Sequence, residues 1–247
     1  MKKWLLLFFT LSGFFPYVLS SSNLSFESPV KQVALLELYT SEGCSSCPPA
    51  DRWLGSLENE DGLWQNFIPI ALHVDYWDYI GWKDRFADPA YSARQRRYAR
   101  EQSLGTVYTP GFTYNGEEWR NWFGKRKLNF PTGNMPGVLK LDLDGSQAKI
   151  TFSPSKTMRH KLNVNLALLG FDLETTVRAG ENKGKKLPHN FVVLAINNAD
   201  LKWKDNQYIT HLNIPTSEID SNRYGIVAWV NASSKQTPLQ TVGGWLQ

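Results

Sequence analysis

Apolar positions fall into two textures along this chain. In the first, runs are apolar on both alternating faces. In KQVALLELY, residues 31–39, Val33, Leu35 and Tyr39 lie on one face and Ala34, Leu36 and Leu38 on the other. A strand of that kind needs cover from both sides, as in the sheets of α/β proteins. NFIPIALHV, residues 66–74, repeats the pattern and predicts a second buried strand. Pro48 and Pro49 suit the first turn of a helix between the two, where a missing N–H costs nothing. Residues 87–105 predict a further helix, with Asp88 as N-cap, Pro89 at its first position and Gly105 just past its end. GFTYNGEEW, residues 111–119, predicts a hairpin turning at Asn115-Gly116. The order strand, helix, strand, helix, strand, strand is an α/β layout.

From about residue 135 apolar and polar residues alternate. VLKLDLDGSQAKITF alternates on both sides of Asp144-Gly145, a hairpin signal, and LNVNLALL, FDLETTV, FVVLAI, QYITHLNI and YGIVAWV follow. Six to eight strands with few helical stretches predict an antiparallel sandwich. The boundary falls in PTGNMPG, residues 131–137, giving an α/β domain over 31–133 and an all-β domain over 134–247.

The first twenty residues stand apart. Lys2 and Lys3 precede the apolar WLLLFFTLSGFF, and small residues follow near Ser20, the shape of a secretory signal peptide over residues 1–20. No cysteine lies near the cleavage region, which excludes lipid attachment there, and no later segment approaches the ~20 apolar residues of a spanning helix. The expectation is an exported protein, periplasmic or secreted, with no membrane span in the mature chain. The two leader lysines carry two of the four net positive charges, so the mature chain keeps about +2, little to attract a polyanion. Arg94, Arg96, Arg97 and Arg100 share the predicted helix, but a nucleic-acid partner needs a larger basic footprint and a recognition motif. No nucleic-acid partner is therefore expected.

The only two cysteines, Cys44 and Cys47, sit in LLELYTSEGCSSCPPADRWL, residues 35–54. A strand ends, TSEG turns the chain, and Cys44 arrives at or just before a helix N-terminus, where unsatisfied N–H groups favour a thiolate. Cys47 is expected one turn inside that helix, placed to resolve a mixed disulfide on Cys44. Exchange chemistry is one reading. A structural staple would close so short a loop that it contributes at most ~1–2 kcal/mol. A zinc site lacks a second ligand pair in the sequence, whereas copper held by Cys44, Cys47 and His73 stays open.

Four stretches, ELYTSEGCSSCPPAD, HVDYWDYIGWKDRFADPAYSARQRRYA, VYTPGFTYNG and GENKGKKL, resemble the bacterial family called domain of unknown function 1223. Its members are thioredoxin-like and mostly exported. The resemblance therefore implies an α/β thioredoxin-like domain followed by the all-β antiparallel sandwich-like domain. It places Thr109-Pro110 where that fold carries a cis-proline beside the C-x-x-C, with the Thr109 backbone free to pair with a substrate. It makes Glu37 the buried acid that accepts a proton from Cys47. It also brings His73, Asp75 and Asp78 near the cysteines, His73 tuning a thiolate or binding a metal and Asp75 orienting it. Tyr76, Trp77 and Trp82 form an aromatic wall there, Tyr76 and Trp77 among the substrate-binding residues with Thr109 and Pro110.

The chain departs from a plain thioredoxin in two places. RNWFGKRKLNFPTG, residues 120–133, predicts no final helix, and Ser45-Ser46 between the cysteines leaves the direction of electron flow open. GENKGKK has the wrong spacing for a phosphate loop and reads as a flexible connection, with His189 and Asn190 following it toward the domain interface. The leading expectation is a thiol–disulfide oxidoreductase without a cofactor. Cys44 is its nucleophile and Cys47 its resolving thiol, and it acts on a protein or small-molecule thiol or disulfide with an unidentified redox partner. The alternatives are copper binding or delivery, and a partner-binding module in which the disulfide is inert.

Overall fold

The long strand Val192–Lys204 decides the architecture. The computed structural model describes residues 24–122, 133–158 and 160–246. The leader and residues 123–132 of the stretch expected to lack a final helix lie outside them. The first half contains β1 (Leu24–Glu27), β2 (Ala34–Thr40), α1 (Pro48–Ser56), β3 (Phe67–His73), α2 (Pro89–Arg100), β4 (Gly111–Tyr114) and β5 (Glu117–Glu118). The second contains β6 (Gly137–Asp144), β7 (Gln147–Pro154), β8 (Leu162–Phe171), β9 (Leu173–Thr176), β10 (Lys186–His189), β11 (Val192–Lys204), β12 (Gln207–Asn213), β13 (Arg223–Ala232) and β14 (Pro238–Leu246).

Local signals held. Every residue of β2 and β3 is buried, as two-sided apolarity demands, and the two strands run parallel from Ala34↔Phe67 to Thr40↔His73. Asp88 caps α2 by accepting from the Ala90 N–H at 2.7 Å, with Pro89 at the first position. The helix ends at Arg100, before the expected Gly105, because Gln102 turns left-handed at φ 63°. Asn115 and Gly116, at φ 48° and 83°, make the β4–β5 turn. The β6–β7 turn is Gly145-Ser146, one residue later than read, since Asp144 pairs with Gln147.

The expected fold class does not hold. Twelve strands form one mixed sheet, and among the described residues only two α-helices occur. β11 runs thirteen residues, well beyond FVVLAI. Its start pairs in parallel with β3 at Val192↔Ala71, its length pairs with β8, and its end makes a hairpin with β12 through Asp205 and Asn206. Strand pairing therefore crosses residue 134, as it does where β1 pairs with β6. An α/β thioredoxin-like domain followed by a sandwich is replaced by a sheet shared between the halves.

The reason lies in β8 and β13, which are apolar on both faces. Ala167, Leu169, Phe171, Val227 and Trp229 join the core under β2 and β3, while Val164, Leu166, Ile226, Ala228 and Val230 join a second core with β6 and β7. Strands buried on both faces are central strands and cannot be one wall of a separate domain. The antiparallel pair β9–β10 stands outside the large sheet.

Candidate functional site

The carboxyl ends of β2 and β3 carry the chemistry. β2 ends at Thr40 and leads through Ser41, Glu42 and Gly43 into Cys44. Cys44 and Cys47 are joined in a disulfide with Cα atoms 5.4 Å apart. Cys47 is the N-cap of α1, so it lies outside the helix and Cys44 a turn before it. Pro48 and Pro49 explain the shift. Neither has an N–H, so the carbonyls of Cys44 and Ser45 can accept no i+4 helical bond. The Cys44 carbonyl accepts from the Cys47 N–H at 3.2 Å and from Asn182 Nδ2 at 2.9 Å.

Asn182 belongs to the connection between β9 and β10, the GENKG stretch expected to be a flexible loop. It is fully buried and also donates Nδ2 to the Glu42 carbonyl at 2.8 Å. Glu181 accepts from the Ser45 N–H at 3.0 Å, and the Ser45 side chain, then its backbone N–H, lower the Glu181 carboxyl from its ordinary value. Gly180 and Gly184 bracket the segment with φ of 73° and 85°, values glycine adopts freely. The loop thus fastens over the cysteine turn. Cys44 and Cys47 are 1% and 0% exposed, whereas Ser45 and Ser46 are exposed. The Ser46 hydroxyl sits 3.3 Å from Cys44 Sγ.

The Thr109-Pro110 bond is cis. Trp77 donates Nε1 to Thr109 Oγ1 at 2.7 Å, and its Cβ stands 3.0 Å from where a Cβ on Gly43 would be. Trp77 therefore joins the cysteine turn to Thr109. Tyr76 donates to Gln95 Oε1 at 3.0 Å, and Gln95 Nε2 donates to the Tyr108 carbonyl at 2.7 Å. Burial raises the Tyr76 phenol to about 12, so it remains a donor. Trp82 donates to Glu42 Oε2 at 2.7 Å and so helps fix the turn.

Glu37 is not placed as a proton acceptor. Its carboxylate receives Arg94 Nε at 2.7 Å and Nη2 at 3.1 Å, the Tyr39 hydroxyl at 2.9 Å and the Tyr98 hydroxyl at 2.6 Å. Four donors converge on two oxygens, the arrangement of a buried structural ion pair. Burial first, then the Glu37 charge, pushes both phenols well up, so both stay protonated donors.

His73 is fully buried, and Asp84, not Asp75, orients it, with Oδ2 2.7 Å from Nδ1. Burial opposes the charged imidazole, but the Asp84 carboxylate outweighs it and lifts His73 to about 9. Asp75 instead accepts from Ser92 on α2, and Asp78 accepts from the Asp84 N–H at 3.2 Å. Burial raises the Asp78 carboxyl from its ordinary value. Two further residues reach His73 that sequence reasoning missed or left unassigned. Asp51, one turn into α1, accepts from Thr40 Oγ1 at 3.0 Å, and burial raises its carboxyl. His189, the last residue of β10, stacks edge-on to His73 with ring centroids 5.2 Å apart. Its approach to the domain interface, expected from its place after the loop, here means contact with the ends of β2 and β3.

A buried strand-end disulfide under a fastened loop, flanked by a buried histidine–carboxylate cluster, characterises this protein. The chain belongs to the family described as "Protein of unknown function (DUF1223)", whose model matches residues 35–231. A search of curated proteins found no match. Among solved structures it is similar to the X-ray structure of protein AGR_C_4864 from Agrobacterium tumefaciens, at 21% identity and TM-score 0.60 over 86% of this chain and 94% of that one. It is also similar to HBP35 of Porphyromonas gingivalis, at 15% identity and TM-score 0.59 over 89% of this chain and 76% of that one. Both likenesses concern the fold alone.

Proposed function

We propose that the protein is an exported thiol–disulfide exchange protein in which Cys44 meets the partner and Cys47 resolves. The observation that carries this is the position of the pair. A disulfide of sequence separation 3 constrains the unfolded chain little, so stability gives a weak reason for it, ~1–2 kcal/mol. Cys44 lies beside exposed Ser45 and Ser46, and the Ser46 hydroxyl is within reach to donate to a Cys44 thiolate. Cys47 is the N-cap of α1 and is followed at once by Pro48 and Pro49 of that helix.

In the reduced protein the Cys44 thiolate attacks one sulfur of a partner disulfide, forming a mixed disulfide and expelling a partner thiolate. Cys47, as thiolate, then attacks the Cys44 sulfur, restores the Cys44–Cys47 bond and releases the second partner thiolate. Two electrons pass from the pair to the partner, and the two thiol protons leave with the products. A partner dithiol drives the same steps in reverse. Trp77 holds Thr109 beside the cysteine turn, and the neighbouring Tyr79, 82% exposed, offers an aromatic surface to an arriving chain.

Burial of both sulfurs makes access depend on the Glu181–Asn182 loop. Asn182→Ala removes both hydrogen bonds of Nδ2, taking that donor from the Glu42 carbonyl and leaving the Cys44 carbonyl with the Cys47 N–H, a loss of about 1–2 kcal/mol. If exchange proceeds from the opened loop, reduction of Cys44–Cys47 by dithiothreitol is expected to run roughly 5–30-fold faster in this variant. Stopped-flow or quenched alkylation measures it. An unchanged rate means the sulfurs react without loop opening, and no reduction of either protein under native conditions contradicts exchange.

A further inference from the structure

Beside the disulfide lies a second cluster that exchange chemistry does not use. His73, His189 and Asp51 come from three different elements, β3, β10 and α1, and all are buried. One potential ligand atom from each lies within 4.8 Å of the others. His73 Nε2 has no hydrogen-bond partner, nor has either nitrogen of His189. Unpaired buried polar atoms are costly, and an imidazole from each of two histidines with an unpaired nitrogen, set beside the Asp51 carboxylate, calls for an occupant.

The surrounding charges point to what kind. Glu42 Oε1 lies 3.3 Å from His189 Nε2 but is not aligned for a hydrogen bond, and it too is buried without a partner. Asp84 stands 2.7 Å from His73 Nδ1. Asp84 is matched by the His73 imidazole, whose protonation it favours and whose Nε2 proton a cation would replace, but Asp51 and Glu42 add two more buried carboxylates, and among the described residues no Lys or Arg pairs with any of the three. A buried excess of negative charge favours a cation. Each imidazole also has a carboxylate at one nitrogen and a free nitrogen on the other side. For His73 this is the carboxylate–histidine arrangement that orients metal-binding histidines.

We propose that His73 through Nε2, His189 and Asp51 form a site for one divalent first-row cation of the Zn²⁺ class, with Asp84 positioning His73. Two nitrogens and a carboxylate oxygen are borderline to hard donors, suited to Zn²⁺ or Co²⁺ and unlike the thiolate set that selects Cu(I). Ligands about 2.0–2.1 Å from a tetrahedral zinc stand roughly 3.3 Å from one another. The present spacing, up to 4.8 Å, therefore closes by a small contraction of side chains already in place. His189 arrives on the β9–β10 ribbon, whose loop fastens over the cysteine turn, so a bound cation ties that ribbon to α1 and β3.

The test is isothermal titration of Zn²⁺ into the chelator-stripped, oxidised mature chain, with Co²⁺ as a spectroscopic probe. One ion per chain is expected, with a Co²⁺ spectrum lacking thiolate charge transfer. A Cys44→Ser/Cys47→Ser variant keeps the stoichiometry. His189→Gln binds at least about 100-fold more weakly, and Asp84→Asn about 10–100-fold more weakly, as loss of an orienting carboxylate does. Circular dichroism checks that each variant is folded; should His189→Gln fail, Asp84→Asn carries the comparison. The proposal is overturned if the wild type takes up no Zn²⁺ saturably, if uptake is undiminished in the folded histidine and aspartate variants, or if it vanishes with the cysteines.

Discussion

Cys44→Ser is expected to bring turnover of a small disulfide substrate, driven by an added thiol reductant, down to the uncatalysed background. Cys47→Ser should differ in kind. It retains the sulfur that has the Ser46 hydroxyl 3.3 Å away but removes the one that closes the ring. The first attack then proceeds and the second cannot, so a mixed disulfide on Cys44 accumulates. With glutathione disulfide as substrate, intact-mass spectrometry should find one glutathione per chain, and peptide mapping should place it on Cys44. Equal turnover in wild type and Cys44→Ser would falsify the assignment of Cys44, and an inert disulfide would leave all three proteins indistinguishable.

The second large effect is on stability. Arg94→Met should cost about 3–5 kcal/mol, because it strands the Glu37 carboxylate, fully buried, without its cation. Arg94 also lies over the Trp229 ring, 5.1 Å from its centroid, so some packing goes with the charge. For a chain of this size the melting temperature should fall by roughly 6–20 °C. Glu37→Gln/Arg94→Met should recover much of the loss, since glutamine is neutral, its Oε1 still accepts from one of the Tyr39 and Tyr98 hydroxyls, and its Nε2 can donate to the oxygen of the other. Thermal and denaturant melts of the wild type, both of these variants and Glu37→Gln measure this. Were Glu37 a proton acceptor for Cys47 instead, Glu37→Gln would slow exchange while leaving the melt nearly unchanged.

Local features were legible in the sequence. The cap at Asp88, the prolines that open α1 and the Asn115-Gly116 turn are set by neighbours a few residues away, and the chain writes them in plain residue types. The same two-sided apolarity that identified β2 and β3 is present in LALLGF and GIVAWV. Read consistently, it marks β8 and β13 as central strands with a core on each face and argues against a separate sandwich.

The site was half legible. Cys44 and Cys47 carry their own signal, as does the Thr109-Pro110 position once the resemblance is recognised. Asn182 reaches Cys44 across 138 residues, and His189 meets His73 only because β9–β10 lies over the ends of β2 and β3. No local spacing encodes such meetings. The surroundings of Glu37 were hidden for a related reason. A lone acid on a buried strand predicts either a shifted acid or an ion pair, and the partner that decides, Arg94, sits 57 residues away. Asp75 is nearer to His73 in sequence than Asp84, yet Ser92 on α2 claims it.

The most direct measurement is the equilibrium of Cys44–Cys47 in graded glutathione buffers. Exchange chemistry predicts reversible opening of the native protein with a potential between about −120 and −270 mV, the range of dedicated exchange proteins. A potential below about −300 mV, typical of structural disulfides, would contradict it.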